Sequence, residues 1–202
     1  MSSNLVTITG PSGSGKTELI KALENRGKFA RLISVTTRPM RPGEIDGLDY
    51  YFITEAEYQT IVSAGGFLQT VDFNGYHYGT TTHELARVRS IEKTPIVIVE
   101  PSGITQFDRI SKEHGYELIS VFVTAEYEVL VERYLRRLSE PADPERLRYH
   151  ARRISAIAEE LTWVDLHKYN VSLYNGGDDF THVIAMAELI EEMYGGKGRV
   201  ST

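Results

Sequence analysis

Apolar and polar positions along this chain follow two periods, and the switches between them outline a fold. Leu5-Val6-Thr7-Ile8-Thr9 is a short β-branched run closed by Gly10, the pattern of a buried strand. Past a glycine-rich turn, Leu19, Ile20, Ala22 and Leu23 share one helical face within residues 18–26, and Gly27 supplies a stop. Residues 30–35 read as a second strand. Residues 95–99 and 118–123 are unbroken apolar runs, as expected of strands covered on both faces. Each is followed by a helical pattern, over 103–114 and 126–138. A Pro-Ala-Asp-Pro break at 141–144 precedes a longer helix with Ile154, Ile157, Ala158, Leu161 and Val164 at helical spacing. A last strand is expected over 169–174. The closing helix carries Val183, Ala187, Ile190 and Met193 on one stripe, and residues 195–202 form a frayed tail. Strands alternating with helices predict an α/β fold, a parallel sheet with helices on both faces. No internal repeat is visible.

Between residues 34 and 85 the texture changes to aromatics, glycines and polar residues. Asn74-Gly75 between Val71-Asp72-Phe73 and Tyr76-His77-Tyr78 is a hairpin signal. A helix is expected over 55–64. This stretch reads as a small insertion domain.

Composition narrows the chemistry. A chain of 202 residues, 41% of them apolar, can close one sizeable core with small appendages. A formal net charge of −6 argues against a general nucleic-acid binder, which needs a basic surface. The absence of cysteine excludes disulfides, thiolate metal sites and cysteine nucleophiles. With neither a basic leader nor a long apolar stretch, a soluble cytoplasmic protein without membrane contact is expected. Trp163 and the tyrosines outside the insertion are assigned to the core.

Gly10-Pro11-Ser12-Gly13-Ser14-Gly15-Lys16-Thr17 matches G-x-x-x-x-G-K-[ST] in full. Glycines let such a backbone curl until several N–H groups face the phosphates of a nucleotide, beside the positive end of the next helix. Pro11, Ser12, Gly13, Ser14 and Gly15 are thus the ATP-binding loop. Lys16 reaches the β- and γ-phosphates, and the Thr17 hydroxyl ligates Mg²⁺. A flexible glycine-serine turn would not explain the strand before, the helix after and the Lys-Thr pair. The motif does not name the acceptor.

Ser34-Val35-Thr36-Thr37-Arg38-Pro39-Met40-Arg41-Pro42-Gly43-Glu44, then Asp46-Gly47-Leu48-Asp49-Tyr50-Tyr51-Phe52, gathers two guanidinium forks, hydroxyls and tyrosines around tight turns. Such groups suit a fixed phosphate dianion, although a solvated basic loop has the same composition. Here the sequence resembles the guanylate kinase family: the stretch is similar to that family's S-x-T-T-R-x-x-R-x-G-E…D-Y-x-F signature, and residues 67–80 to its glycine-tyrosine hairpin. More weakly, the resemblance extends over almost the whole chain. It implies a three-layer P-loop kinase fold: a core formed by 1–33, 86–132 and 154–202, an acceptor-binding domain at 34–85, and an arginine-rich lid at 133–153. It further implies that Ser34, Arg38, Arg41, Tyr50 and Tyr78 hold the acceptor phosphate, with Thr80 beside the O6 edge of the base.

Two departures concern the base. The family's guanine-gripping glutamate is Gln69 here, and its D-x-D-x-x-G strand end reads Ile98-Val99-Glu100-Pro101-Ser102-Gly103. A carboxylate accepts from both N1–H and N2–H₂ of guanine, whereas a carboxamide offers one acceptor and one donor. Glu100, at a strand's carboxyl end, faces the base or a Mg²⁺-bound water, or simply solvent. In the lid, Arg133, Arg136, Arg137, Arg146, Arg148, Arg152 and Arg153 surround the proline break. Resemblance carries Arg133, Arg137 and Arg153 over as phosphate contacts, with Arg136 an alternative to Arg137. Asn175-Gly176-Gly177-Asp178-Asp179 is similar to the family's turn near the donor adenine, and Asn175 lies there or merely ends the last strand. The expected activity is Mg²⁺- and ATP-dependent phosphorylation of a nucleoside monophosphate, GMP or dGMP by default, by a monomer or dimer. The alternatives are a kinase for another or a modified nucleotide or a sugar phosphate, and an inactive binding module.

Overall fold

The computed structural model describes residues 3–41, 43–73, 75–136, 144–166, 168–177 and 181–194. Pro42, Asn74, Arg137, the lid run 138–143, Asp178, Asp179 and the tail from 195 lie outside the described residues, as does the side chain of Arg146.

A five-stranded sheet forms the core, built from β1 (Ser3–Thr9), β2 (Phe29–Arg31), β7 (Thr94–Ile98), β8 (Tyr116–Thr124) and β9 (Val171–Tyr174) in the order β2-β7-β1-β8-β9. All its pairings are parallel. The three most apolar strands take the central positions because both their faces are covered. Side chains alternate between the layers, as the period of two requires. Val6 and Ile8 of β1 join Ile96, Ile119, Val121 and Val123 under helices α1 (Lys16–Asn25) and α8 (Thr181–Tyr194). Leu5, Val97 and Val99 pack on the other side with Leu85 and Val88 of α3 (Thr82–Ser90) and Phe107 and Ile110 of α4 (Pro101–His114). A third cluster joins Leu130 of α5 (Tyr127–Arg136) to Ile157 of α6 (Pro144–Leu161), beside Ala125.

A second sheet, β4-β3-β6-β5, holds β3 (Val35–Thr36), β4 (Tyr51–Phe52), β5 (Phe67–Phe73) and β6 (Tyr76–Thr81). β5 and β6 are an antiparallel hairpin in which Phe73 pairs with Tyr76. Helix α2 (Glu55–Ser63) starts on a reciprocal cap, Thr54 accepting from the Glu57 N–H while the Glu57 carboxylate accepts from Thr54. The chain passes from the core sheet to this one between β2 and β3 and returns between β6 and α3. Beside both passages stands Glu84, fully buried, accepting from the Ile33 N–H at 3.0 Å and from the Arg87 guanidinium at 2.6 Å.

Three expectations change. The strand foreseen over 30–35 is two strands in different sheets, because the chain crosses between the sheets at Leu32–Ser34. The long helix ends at Leu161: Val164 belongs to a separate short helix α7 (Trp163–Leu166) and is exposed, as is Ala158. On α8 the buried stripe runs through Val183, Met186, Ala187 and Ile190 and continues at Tyr194, which packs against the core, so Met193 is turned outward and 47% exposed.

Candidate active site

In a parallel sheet every strand ends at the same edge, and ligands bind along it. Gly10 follows β1, Glu100 follows β7, Ala125 follows β8 and Asn175 follows β9, so four segments remote in sequence converge there.

The loop between β1 and α1 is held in its curl by steric necessity. Gly10 has φ 148°, and a Cβ on it would run into the Val123 carbonyl. Gly15 has φ 94°, and its Cβ would sit 2.5 Å from Asn175 Nδ2. That close approach is used: Asn175 Nδ2 donates to the Ser14 carbonyl at 2.9 Å, and the Asn175 N–H to the Thr124 carbonyl at 2.7 Å. Asn175 therefore ends the strand and braces the loop at once. Lys16 Nζ donates to the carbonyls of Gly10 and Pro11, at 2.7 and 2.8 Å. The cradle, the Lys16 ammonium above it and the Thr17 hydroxyl lining the same cleft have the donor set that a magnesium nucleotide needs.

The second sheet and the connection between its strands β3 and β4 supply the opposite wall. Arg38, 7% exposed, donates from Nη2 to both oxygens of Glu44, at 2.7 and 3.0 Å, and lies 5.6 Å from the ring centres of Tyr50 and Phe52. Burial works against the Glu44 charge, but Arg38 and the Arg41 N–H outweigh it and hold this carboxyl below its ordinary value. Tyr50 and Tyr78 meet edge to face at 5.9 Å, and burial pushes the Tyr50 phenol up, so it remains a proton donor. Arg41 is exposed at the rim. Ser34 Oγ and Thr80 Oγ1 lie 3.4 Å apart, and half-buried Gln69 pairs opposite Thr80 in the hairpin. A depressed pKa in the fold adds stability that is present above the unfolded carboxyl's pKa and lost as pH falls through the folded value. Glu44→Gln is therefore expected to cost about 1–2 kcal/mol at pH 7. Urea denaturation followed downward in pH checks this: the gap between the two proteins should close under acid.

Between the walls, Arg153 of α6, Glu160 of α6, Glu100 and Lys16 meet in one cluster. Desolvation by the cleft walls, then the Glu160 charge, raises the Glu100 carboxyl above its ordinary value, against the pull of Arg153 and Lys16. Arg133 donates to the carbonyls of Asn175 at 2.9 Å, Gly13 at 3.4 Å and Gly177, joining the loop to the turn after β9. Arg136 pairs with Glu132 at 2.6 Å on the exposed face of α5, and Arg137, the other candidate of that pair, lies outside the described residues. Arg148 and Arg152 are exposed.

The aromatic side chains Trp163, Tyr134 and Tyr149 line the cleft, which corrects their assignment to the core. They sit on α5, α6 and the short helix α7, a placement that helical spacing cannot reveal. Glu160 was also missed, since it reads as one more charge on a polar helix. Among the described residues, no helix is long and apolar enough to cross a membrane.

Comparison with known proteins gives this arrangement its relatives. The family model described as guanylate kinase matches residues 2–193. A guanylate kinase of Thermosynechococcus vestitus is 41% identical over 103 residues, covering 50% of this chain and 54% of that protein, about half its length. One from Thermobifida fusca is 31% identical over 183 residues, 90% of both chains. The crystal structure of guanylate kinase from Anaplasma phagocytophilum shares the fold, with a TM-score of 0.64 at 21% identity over 95% of this chain and 84% of that one. With the family model spanning nearly its full length, the phosphate loop in place and an arginine-tyrosine wall opposite, the chain belongs to the guanylate kinase family.

Proposed function

We propose that this protein transfers the terminal phosphoryl group of Mg²⁺-ATP to the phosphate of GMP or dGMP, yielding ADP and the nucleoside diphosphate. One observation carries the reading: a single cleft of about 680 Å³ is lined at one end by Gly10, Ser12, Lys16 and Thr17 and at the other by Arg38, Arg41, Tyr50, Gln69 and Tyr78. A phosphate-binding loop and a second anion-binding wall share one space, as direct transfer between two phosphates requires.

The division of labour follows from charge. The P-loop amides and Lys16 hold the donor. Thr17 and Glu100 would hold the magnesium, which when bound neutralises charge on the phosphate oxygens. Arg38, Arg41, Tyr50 and Tyr78 hold the acceptor phosphate; Ser34, expected beside them, has its hydroxyl 3.4 Å from that of Thr80 and so faces the base with Thr80 and Gln69. An acceptor phosphate oxygen attacks the γ-phosphorus, and the bond to the β-γ bridging oxygen breaks with ADP as leaving group. No protein nucleophile is needed. Arg153, with Lys16, counters the charge that builds on the transferring group. Desolvated cleft walls strengthen each of these contacts.

The test is ADP release coupled to a spectrophotometric readout, with Mg²⁺-ATP against a panel of ribo- and deoxyribonucleoside monophosphates. Turnover with GMP or dGMP well above the other acceptors is expected; preference for another monophosphate would sink the guanine assignment. Glu100→Gln gives a separate check. Removing a charge that desolvation and Glu160 disfavour should raise the melting temperature by about 1–2 °C at pH 7.5 while kcat falls about tenfold. The thermal gain should fade as pH drops through the raised Glu100 pKa, because the wild-type carboxyl is then neutral too.

A further inference from the structure

Ser12 belongs to the phosphate loop, yet its backbone N–H donates to a protein carboxylate, Glu160 Oε2, at 2.6 Å. Glu160 is 9% exposed and enters from α6, 148 residues away in sequence. An anion buried inside an anion site is unfavourable unless its geometry serves another purpose. Two features say what that purpose is. First, Glu160 lies on the anchored half of α6: Ile157, one turn earlier, is fully buried against Leu130 and Ala125, with Leu161 packed beside them. The contact is thus part of a packed unit rather than a chance meeting of mobile side chains. Second, Glu160 Oε1 lies 3.5 Å from Arg153 Nη2, two turns back on the same helix, and Arg153 lines the cleft. One carboxylate therefore touches the donor loop with one oxygen and the arginine with the other.

We propose that Glu160 is a positioning residue for phosphoryl transfer, joining the P-loop to α6 and fixing the height of the Arg153 guanidinium above the loop. The inference rests on the reading of the cleft as a nucleoside monophosphate kinase site. Its logic is geometric. A guanidinium reaches charge developing on a transferring phosphoryl group only if its distance from the donor loop is set, and a misplacement of about 1 Å costs up to about a hundredfold in rate. Helix packing alone sets the axis of α6. The Ser12–Glu160–Arg153 chain of contacts sets the side chain.

The experiment compares wild type with Glu160→Gln, Glu160→Ala, Arg153→Lys and the double variant Glu160→Gln/Arg153→Lys. Readouts are kcat, KM for the acceptor, ADP affinity by calorimetry and melting temperature. Glutamine keeps an acceptor for the Ser12 N–H but loses the charge facing Arg153. Expected are a kcat lowered about tenfold in Glu160→Gln and about thirtyfold in Glu160→Ala, with ADP affinity and acceptor KM within about threefold of wild type. Arg153→Lys should lose about thirtyfold, and adding Glu160→Gln to it should cost less than about twofold more, because the two act through one guanidinium. If Glu160 only repelled the triphosphate, Glu160→Gln would bind ADP more tightly with kcat intact, and the proposal would fall. If it only supported the fold, the kcat loss would track melting temperature and multiply with that of Arg153→Lys, which overturns it equally. Wild-type protein inactive with every acceptor would overturn the parent reading and this one together; active wild type with unaltered Glu160→Gln would overturn this one alone.

Discussion

Lys16→Met is expected to lower kcat about a thousandfold, some 4 kcal/mol of transition-state stabilisation. Methionine preserves the length of the side chain and the start of α1 while deleting the ammonium. In the present structure that ammonium rests on the Gly10 and Pro11 carbonyls, at 2.7 and 2.8 Å, so the loop already holds it at the mouth of the cradle. A cation fixed where charge will develop acts without reorganising at the moment of reaction. The fold should barely notice the change, since Lys16 sits at the first position of the helix and Leu19, Ile20 and Leu23 carry its packing. Steady-state kinetics beside a melting curve decides the matter: a loss below tenfold, or one explained by unfolding, would mean that the loop does not handle a nucleotide in the proposed way.

Gln69→Glu should act in the opposite direction, raising kcat/KM for GMP by about 30–100-fold. Gln69 is half-buried on β5 opposite Thr80, and Ile98, which lines the same cleft, has no polar atom to offer a base. The Watson–Crick side of guanine presents two adjacent donors, N1–H and N2–H₂. Against them a carboxamide places one acceptor and one donor, so one base group faces a mismatch worth about 1–3 kcal/mol. A carboxylate accepts both, and the second contact adds charge assistance. The check is kcat/KM for GMP, dGMP and IMP in both proteins. Because IMP lacks the exocyclic amine, its gain should be smaller; an equal gain for IMP, or none for GMP, would show that residue 69 does not read that edge.

What the sequence disclosed was local. The strand, phosphate loop and first helix are contiguous, and the hairpin pairing β5 with β6 declares itself by a two-residue turn. The capped helix α2 likewise carries its own signals. Arg38, Tyr50 and Tyr78 could be grouped by resemblance, but their mutual geometry, and the Glu44 carboxylate that holds Arg38, came from the fold. Contacts across long separations left no periodic trace. Asn175 touches Ser14 from 161 residues away, and Glu160 touches Ser12 from 148. Neither is distinguishable in sequence from a strand end or a solvated helix face. Val164 misled for a related reason: helical spacing continues past Leu161 although the helix does not.

The two passages of chain between the core sheet and the second sheet lie side by side, with Glu84 buried beside them. Mechanically, two adjacent covalent links define a line and not a plane. A turn of the second sheet about that line would shift Arg38 and Tyr78 relative to the phosphate loop and leave the strand pairings of both sheets intact, but it would part Arg31 Nη2 from the Leu48 carbonyl it meets at 2.7 Å. Leu68, packed against the α4 cluster, is the apolar contact such a turn would shear. The second sheet is thus hung on the first as a door is on its jamb, joined along one edge with each sheet's ladder complete in itself.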